Sequence, residues 1–314
     1  MSKIETFPLP TRSSLKVFRD SPMSLHTTWR IGGPADFLIR VPTQDDLLAA
    51  VQWANEEEMP VTVIGGGSNL LAPDAGIRGV VLLSRTPGER AENLLKREDL
   101  GDAVRVEVGA QAPLSWVGRF AAERGWAGMD WGVGLPGTIG GATVNNAGAH
   151  GTEQKDHLQS VTVRHDDGSI VIHPQEWLEP AYRHTIIKAS ARPRPYIVLG
   201  VSLILPKADK HELVRLADEH AAYRKETQPT GACAGSTFAN PPGDFAGRLL
   251  EASGMKGFNV GPVAYSTKHS NFIVNSGGGT AEQVRQLIAT GISEVRERFG
   301  VELITEIEDL GEPV

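Results

Sequence analysis

Gly132-Val133-Gly134-Leu135-Pro136-Gly137 spells the dinucleotide fingerprint G-x-G-x-x-G, and whether its surroundings permit that reading decides the fold. The fingerprint needs a strand before it and a helix after it, with the pyrophosphate at the helix N-terminus. Met129-Asp130-Trp131 carries no strand pattern, Pro136 lacks an N–H, and Gly140-Gly141 follow almost at once. Glycine is a poor helix former, so the pair is expected to prevent the helix. Glycine recurs so often from Gly132 to Gly151 that the whole segment is predicted to be loop, held by a bound ligand. A Rossmann domain is therefore rejected. The stretch Gly134, Pro136, Gly137, Thr138, Ile139, Gly140, Ala142, then Ala147 and Gly148, offers instead a backbone-rich surface for a large flat cofactor.

A second glycine loop lies upstream, where the β-branched run Val61–Ile64 ends in Gly65-Gly66-Gly67-Ser68-Asn69-Leu70. Successive backbone N–H groups in such a loop converge on an anion, a pyrophosphate above all, and Ser68 and Asn69 add donors. Taken alone, a triple glycine is more often a plain strand-to-loop turn.

Around these loops the chain mixes strands and helices. Residues 35–41 and 79–83 read as strands, and Thr43 with Asp46 starts a helix running to about Glu58. Residues 104–108 read as a strand, and Leu114 to Arg124 as a helix closed by Gly125. Residues 161–173 read as a hairpin turning at Asp167-Gly168, and 196–205 as a buried strand. A polar helix follows over about 210–226, with Leu213, Leu216, Ala217 and His220 on one face. Thr280 and Gln283 form a capping box for a helix whose apolar face is Val284, Leu287, Ile288, Ile292, Val295 and Phe299, closed by Gly300. No regular βαβ cadence runs through this order, which predicts an α+β protein. The polar stretch 87–102 and the change of pattern after Pro206 mark boundaries. The expected units are 1–84, joined by 301–314, then 85–206 and 207–300.

Composition narrows the function classes. The 314 residues carry a formal net charge of -7, with Lys and Arg dispersed among more numerous carboxylates, so a nucleic-acid partner is not expected. Cys233 stands alone and excludes an intramolecular disulfide. Residues 1–10 lack the order of a signal peptide, and no apolar run reaches the roughly 18 residues of a membrane span, so a cytoplasmic protein with no membrane contact is expected. The nine histidines show no metal-ligand spacing, so no metal is expected.

Several motifs resemble one family. Thr28-Trp29-Arg30-Ile31-Gly32-Gly33-Pro34-Ala35-Asp36, Tyr182-Arg183, Gln228-Pro229, Ala234-Gly235-Ser236-Thr237-Phe238-Ala239-Asn240-Pro241, Lys268-His269-Ser270-Asn271-Phe272 and Leu303-Ile304-Thr305-Glu306-Ile307 stand in the order seen in UDP-N-acetylmuramate dehydrogenases, also called UDP-N-acetylenolpyruvoylglucosamine reductases. The resemblance spans nearly the whole chain. It implies an FAD-binding unit of the vanillyl-alcohol oxidase and p-cresol methylhydroxylase type, plus a separate substrate-binding domain. It implies noncovalent FAD held by Arg30, by Ile64, Gly65, Gly66, Gly67, Ser68, Asn69 and Leu70, and by the second glycine loop.

The implied reaction reduces an enolpyruvyl ether on UDP-N-acetylglucosamine to a lactyl ether at the expense of NADPH, in cell-wall precursor synthesis. By the same resemblance Ser236 donates the proton, Arg183 and Glu306 steady the substrate carboxylate, and Tyr182, Arg224 and Asn240 contact substrate. A monomer is expected. The residues themselves support these roles unequally. Arg183 brings a permanent charge and a bidentate fork. Ser236 is a weak acid that needs donors around its alkoxide, and Gly235-Ser236 backbone N–H groups suit that. Glu306, facing a substrate carboxylate, is expected to be protonated in the complex. Glu308 is its alternative two residues on, while the Leu303 spacing and Gly311 favour Glu306. Ala239 departs from the lysine common in the family, and Arg224 or Lys225 is the expected substitute. The short interval between Arg183 and Tyr196 resembles the family's shorter variety and leaves no room for a long substrate-covering loop. His26 is considered, and set aside, as a covalent flavin anchor. Cys233 reads as a small buried residue.

Overall fold

Alternating β-branched and polar residues in the first third extend into strands because such side chains pack on a pleated surface. The computed structural model describes residues 6–311. β1 (Thr6–Leu9) and β2 (Arg12–Pro22) form a hairpin, β3 (Pro34–Arg40) follows, then α1 (Gln44–Glu56), β4 (Val61–Ile64), the two-residue β5 (Leu70–Leu71) and β6 (Ile77–Leu83). They build a five-stranded sheet in the order β1-β2-β3-β6-β4, parallel among its last three strands. Thr43 caps α1 as expected, its side chain accepting the Asp46 N–H. Leu47, Ala50, Val51 and Ala54 bury the helix against the sheet.

The second unit holds β7 (Leu95–Asp99), β8 (Ala103–Gly109), α2 (Leu114–Ala122), α3 (Ile139–Val144), β9 (Gly148–Ala149), β10 (Thr152–Glu153), β11 (Leu158–His165), β12 (Ile170–Pro174), α4 (Ile186–Ala189) and β13 (Tyr196–Pro206). Its five-stranded sheet runs β12-β11-β13-β8-β7, antiparallel throughout. The hairpin turns at Asp167-Gly168, where Gly168 has φ +88°. The polar stretch 87–102 supplies a 3-10 turn and β7, an edge strand exposing Lys96, Arg97, Glu98 and Asp99. Charge on an edge strand discourages pairing with other chains.

One expectation is overturned here. Residues 132–151 are not all loop, because α3 forms directly across Gly140-Gly141. The helix is only six residues long, Thr138 caps it by accepting the Gly141 N–H, and neither glycine sits in a long helical interior. Gly140 is required by packing: a Cβ there would stand 2.7 Å from Ala110 Cβ. The rejection of a Rossmann domain stands on the antiparallel sheet, since that fold needs parallel βαβ units.

The third segment runs α5 (Lys210–Thr227), α6 (Ala246–Ala252), β14 (Asn259–Val260), β15 (Val263–Tyr265), β16 (Ile273–Asn275), α7 (Ala281–Phe299) and β17 (Glu308–Asp309). α5 buries Leu213 and Ala217 against Ala122 and Val133 of the second unit. The capping box of α7 is present, and Val284, Leu287 and Val295 are fully buried. Phe299, expected on that face, is 40% exposed at the overhanging end of the helix and sits under the Arg248 guanidinium. Polar contacts fasten this segment to the first unit. The Asp74 carboxylate accepts the Ala281 and Glu282 N–H groups at 2.8 and 3.1 Å, and Trp29 Nε1 donates to the Ile273 carbonyl at 2.7 Å. The chain returns to the first unit through β17, which pairs with β5 immediately after the first glycine loop. Residues 301–303 form no strand, and Leu303 joins the core of the third segment instead.

Candidate active site

Both glycine loops face one cavity of about 980 Å³. In the first loop a Cβ on Gly65 would stand 2.5 Å from Thr138 Oγ1, and one on Gly66 would stand 2.6 Å from Gly137 Cα. Glycine is therefore needed for the two loops to touch main chain to main chain. Ile64 to Leu70 line the cavity, as do Pro136, Gly137, Thr138, Gly140, Ala142, Ala147 and Gly148. Along the same wall Glu308, 7% exposed, is paired with both Arg192 and Arg194, and all three line the cavity. Two guanidiniums against one carboxylate leave positive charge over, which suits a diphosphate-bearing ligand. The backbone cradle, this excess charge and the cavity volume fit FAD.

Three chain segments converge on the cavity beside the glycine loops. Arg183 Nε donates to Glu306 Oε1 at 2.6 Å, and Arg183 Nη2 donates to the Gly148 carbonyl at 2.8 Å. Arg183 adopts a left-handed backbone conformation, φ +56°, which is costly for a residue with a side chain and is kept where surrounding contacts fix it. Burial pushes the Glu306 carboxyl above the usual carboxylate range, against the opposing pull of Arg183 and Lys188.

Ser236 reaches the same wall because its loop pairs with the segment carrying Glu306. Glu306 N–H donates to the Thr237 carbonyl at 2.8 Å, Ala239 N–H donates to the Ile304 carbonyl at 2.9 Å, and Phe238 bridges Thr305. Asn271 braces the other side of the loop. Its Oδ1 accepts the Phe238 N–H, its Nδ2 donates to the Phe238 carbonyl, and its own carbonyl accepts the Thr237 N–H. Ser236 lines the cavity, and its hydroxyl has no partner among the described residues.

Arg183, Arg224, Ser236 and Glu306 thus share the cavity with the glycine loops. Other candidates stand outside its lining. Arg30 is exposed, Ile139 is fully buried core, and Gly134 faces α5 near Ala221. Tyr182 and Asn240 meet each other on the outer side, where the Asn240 N–H donates to the Tyr182 hydroxyl at 3.4 Å. Lys225 is exposed and outside the lining, which leaves Arg224 as the cation nearest the role proposed for the missing lysine. His26 is buried against Ser21 Oγ at 3.0 Å and does not line the cavity. Burial pushes the Cys233 thiol up. Among the described residues no cluster of three metal-ligating side chains exists, and no helix is long and apolar enough to cross a membrane. Sequence reading gave no role to Lys188, Arg192 or Arg194. The run Arg192-Pro193-Arg194-Pro195 is the only signal there, and it does not reveal that both guanidiniums meet Glu308.

Comparison with known proteins agrees with this arrangement. Residues 35–173 match an FAD binding domain, and residues 227–310 match the C-terminal domain of UDP-N-acetylenolpyruvoylglucosamine reductase. The chain is 39% identical to the UDP-N-acetylenolpyruvoylglucosamine reductase of Rubrobacter xylanophilus over 94% of its own length and 95% of the relative's. It is 36% identical to the protein of that name from Caldanaerobacter subterraneus, over 95% and 94% of the two chains. The crystal structure of UDP-N-acetylenolpyruvylglucosamine reductase from Thermus caldophilus superposes with a TM-score of 0.76 at 35% identity, covering 94% of this chain and 99% of the other. The chain is an FAD-dependent oxidoreductase with an FAD-binding unit and a separate C-terminal domain, and it belongs to the UDP-N-acetylenolpyruvoylglucosamine reductase family.

Proposed function

We propose that this protein reduces the enolpyruvyl ether of UDP-N-acetylglucosamine enolpyruvate to the lactyl ether of UDP-N-acetylmuramate, with NADPH as electron source. The supporting observation is the convergence of Arg183, Glu306 and Ser236 on the cavity that the glycine loops line. Bound FAD supplies the two-electron carrier between NADPH and the sugar nucleotide. The glycine loops would hold it through main-chain N–H groups, and Arg192 and Arg194 would supply positive charge to a diphosphate.

The protein's own part is charge and proton management. Reduction at the methylene carbon places negative charge on the adjoining carbon and its carboxylate. Arg183 is the permanent counter-charge for that carboxylate. An arriving carboxylate competes with Glu306 for Arg183 and sets two negative groups side by side, which drives Glu306 to take a proton. Ser236 then donates its hydroxyl proton to the carbon, its alkoxide met by neighbouring backbone N–H groups. Arg224 faces the nucleotide end of the substrate, and Tyr182 and Asn240 contact the substrate when it is bound. The units are taken as 1–84 with 301–314, 85–206 and 207–300, residues 1–5 and 312–314 lying outside the described residues. A cytoplasmic monomer is the proposed working form.

The test is an anaerobic two-step titration. NADPH is expected to bleach the bound flavin, and the enolpyruvyl sugar nucleotide to restore its colour. A flavin that NADPH reduces but the sugar nucleotide does not reoxidise removes this substrate.

A further inference from the structure

We infer that Lys188 is a positioning residue for Glu306, holding its main-chain carbonyl in a two-donor clamp with Asn69. This rests on the reading of Glu306 as the group beside the substrate carboxylate.

Lys188 Nζ donates to the Glu306 carbonyl at 3.2 Å, and Asn69 Nδ2 donates to the same oxygen at 3.2 Å. The two donors come from different units: Asn69 ends the first glycine loop, and Lys188 lies on α4. A carbonyl with two lone pairs held from two sides leaves its residue little freedom to shift or rotate. Glu306 N–H is fixed as well, on the Thr237 carbonyl of the third segment. Three segments thus meet on the main chain of one residue, whose carboxylate is aimed at Arg183.

Lys188 is itself held in place. α4 is capped by Thr185, whose side chain accepts the Lys188 N–H at 3.2 Å and whose hydroxyl donates to the Val144 carbonyl at the end of α3. The helix that carries Lys188 is therefore tied to the helix that follows the second glycine loop. Lys188 is half-buried, and among the described residues no carboxylate stands within ion-pair distance of it. Burial pushes the Lys188 ammonium down, and the Glu308 and Glu306 carboxylates pull the other way. Its head is held by the hydrogen bond to the Glu306 carbonyl.

The charge acts too. The charged groups facing the Glu306 carboxyl from the second unit are Arg183 and Lys188, while Asn69 from the first unit and the Thr237 main chain from the third are neutral. Glu308, next along the chain but one, is engaged with Arg192 and Arg194. Lys188 opposes the upward push of burial on Glu306, so removing it lets the carboxyl hold its proton to higher pH.

The test uses the FAD-loaded protein and the variants Lys188→Met and Lys188→Arg. The Glu306 carboxyl is followed by its infrared band through a pH titration, assigned by its loss in Glu306→Gln. Lys188→Met is expected to move the midpoint up by about one pH unit, and Lys188→Arg to return it close to the original value. In stopped-flow work Lys188→Met is expected to slow flavin reoxidation by the sugar nucleotide at least tenfold while NADPH reduction keeps its rate. An unmoved midpoint, or loss of FAD from Lys188→Met, overturns the inference, the second because it makes Lys188 a general scaffold residue. The infrared measurement needs no substrate, so a wrong substrate assignment leaves it readable: reoxidation would then fail in the unmodified protein while the midpoint still shifted.

Discussion

Arg183 Nε and Glu306 Oε1 stand 2.6 Å apart although 123 positions separate them in the chain, and each side chain is less than one-fifth exposed. The contact joins the second unit to the returning C-terminal segment in the wall of the cofactor cavity. An ion pair with this little solvent is expensive to break from one side, because the remaining charge stays buried. A ligand carboxylate that displaces Glu306 from Arg183 avoids this cost by replacing one anion with another, provided Glu306 can take up a proton.

Replacing Arg183 by lysine keeps the charge and loses the fork. Lysine has no planar pair of N–H groups to hold the Gly148 carbonyl and a carboxylate at once. Arg183→Lys is expected to retain FAD and to slow reoxidation by the sugar nucleotide about a hundredfold or more. Single-turnover rates at saturating substrate check this, and a rate within threefold of the unmodified protein removes Arg183 from the reacting centre.

Ser236→Ala separates the two half-reactions. The hydroxyl is used only when a proton is delivered to carbon, so flavin reduction by NADPH is expected to stay near normal while reoxidation slows by orders of magnitude. The two rates are measured separately by flavin absorbance. Equal slowing of both half-reactions counts against a proton-donor role.

Glu306 offers a comparison of two conservative changes. Glutamine preserves the length of the side chain and a hydrogen-bond donor, whereas aspartate is one methylene too short to keep the 2.6 Å contact with Arg183. If the acid works protonated, Glu306→Gln is expected to be the milder change. Reoxidation rates of the two variants decide it, and the reverse order would show that the carboxylate form is needed.

Elements with strong local signals were legible in the sequence. The Thr280–Gln283 box starts α7, Thr43 starts α1, and Asp167-Gly168 turns the β11–β12 hairpin. What escaped was short, or was decided at a distance. β14, β15 and β16 have two or three residues each, too few for an alternation to show, and β2 mixes exposed Lys16, Arg19 and Asp20 among its buried positions. α3 escaped because glycine was read as loop, when Gly140 is there to let a helix lie on Ala110. The glycine loops could be recognised one at a time, but not their mutual contact. For the site, no spacing rule brings Arg183, Ser236 and Glu306 together. Their joint reading came from resemblance, while the Lys188 and Asn69 clamp on a main-chain carbonyl leaves no trace in side-chain pattern.

Gly66→Ala tests whether the two loops must touch. Its Cβ would lie 2.6 Å from Gly137 Cα, a backbone atom that cannot swing away as a flexible side chain would. Separating the loops spoils the cradle that each helps to form, so FAD affinity is expected to fall at least tenfold. Fluorescence titration of the apoprotein measures it. Unchanged affinity would mean that the loops can part without loss.

His26 gives a prediction for stability. Burial, then the charges of Arg85 and Arg40, push its imidazole down from 6.5 to about 4. The folded protein therefore resists a proton that the unfolded chain accepts, and the unfolded state gains it first as the pH falls. The stability contributed by neutral His26 is fully present above about pH 6.5 and is lost as the pH falls towards 4. Its ring also bonds Ser21 Oγ, and Nδ1 is buried without a partner, so the neutral ring is part of the packing, while the His26 carbonyl lies against Gly67 of the first glycine loop. His26→Gln removes the titration while keeping a polar side chain of similar reach. The drop in Tm between pH 7.5 and pH 5 is expected to be smaller in that variant than in the unmodified protein, whatever the two values at pH 7.5. An equal drop in both would place the acid sensitivity outside His26.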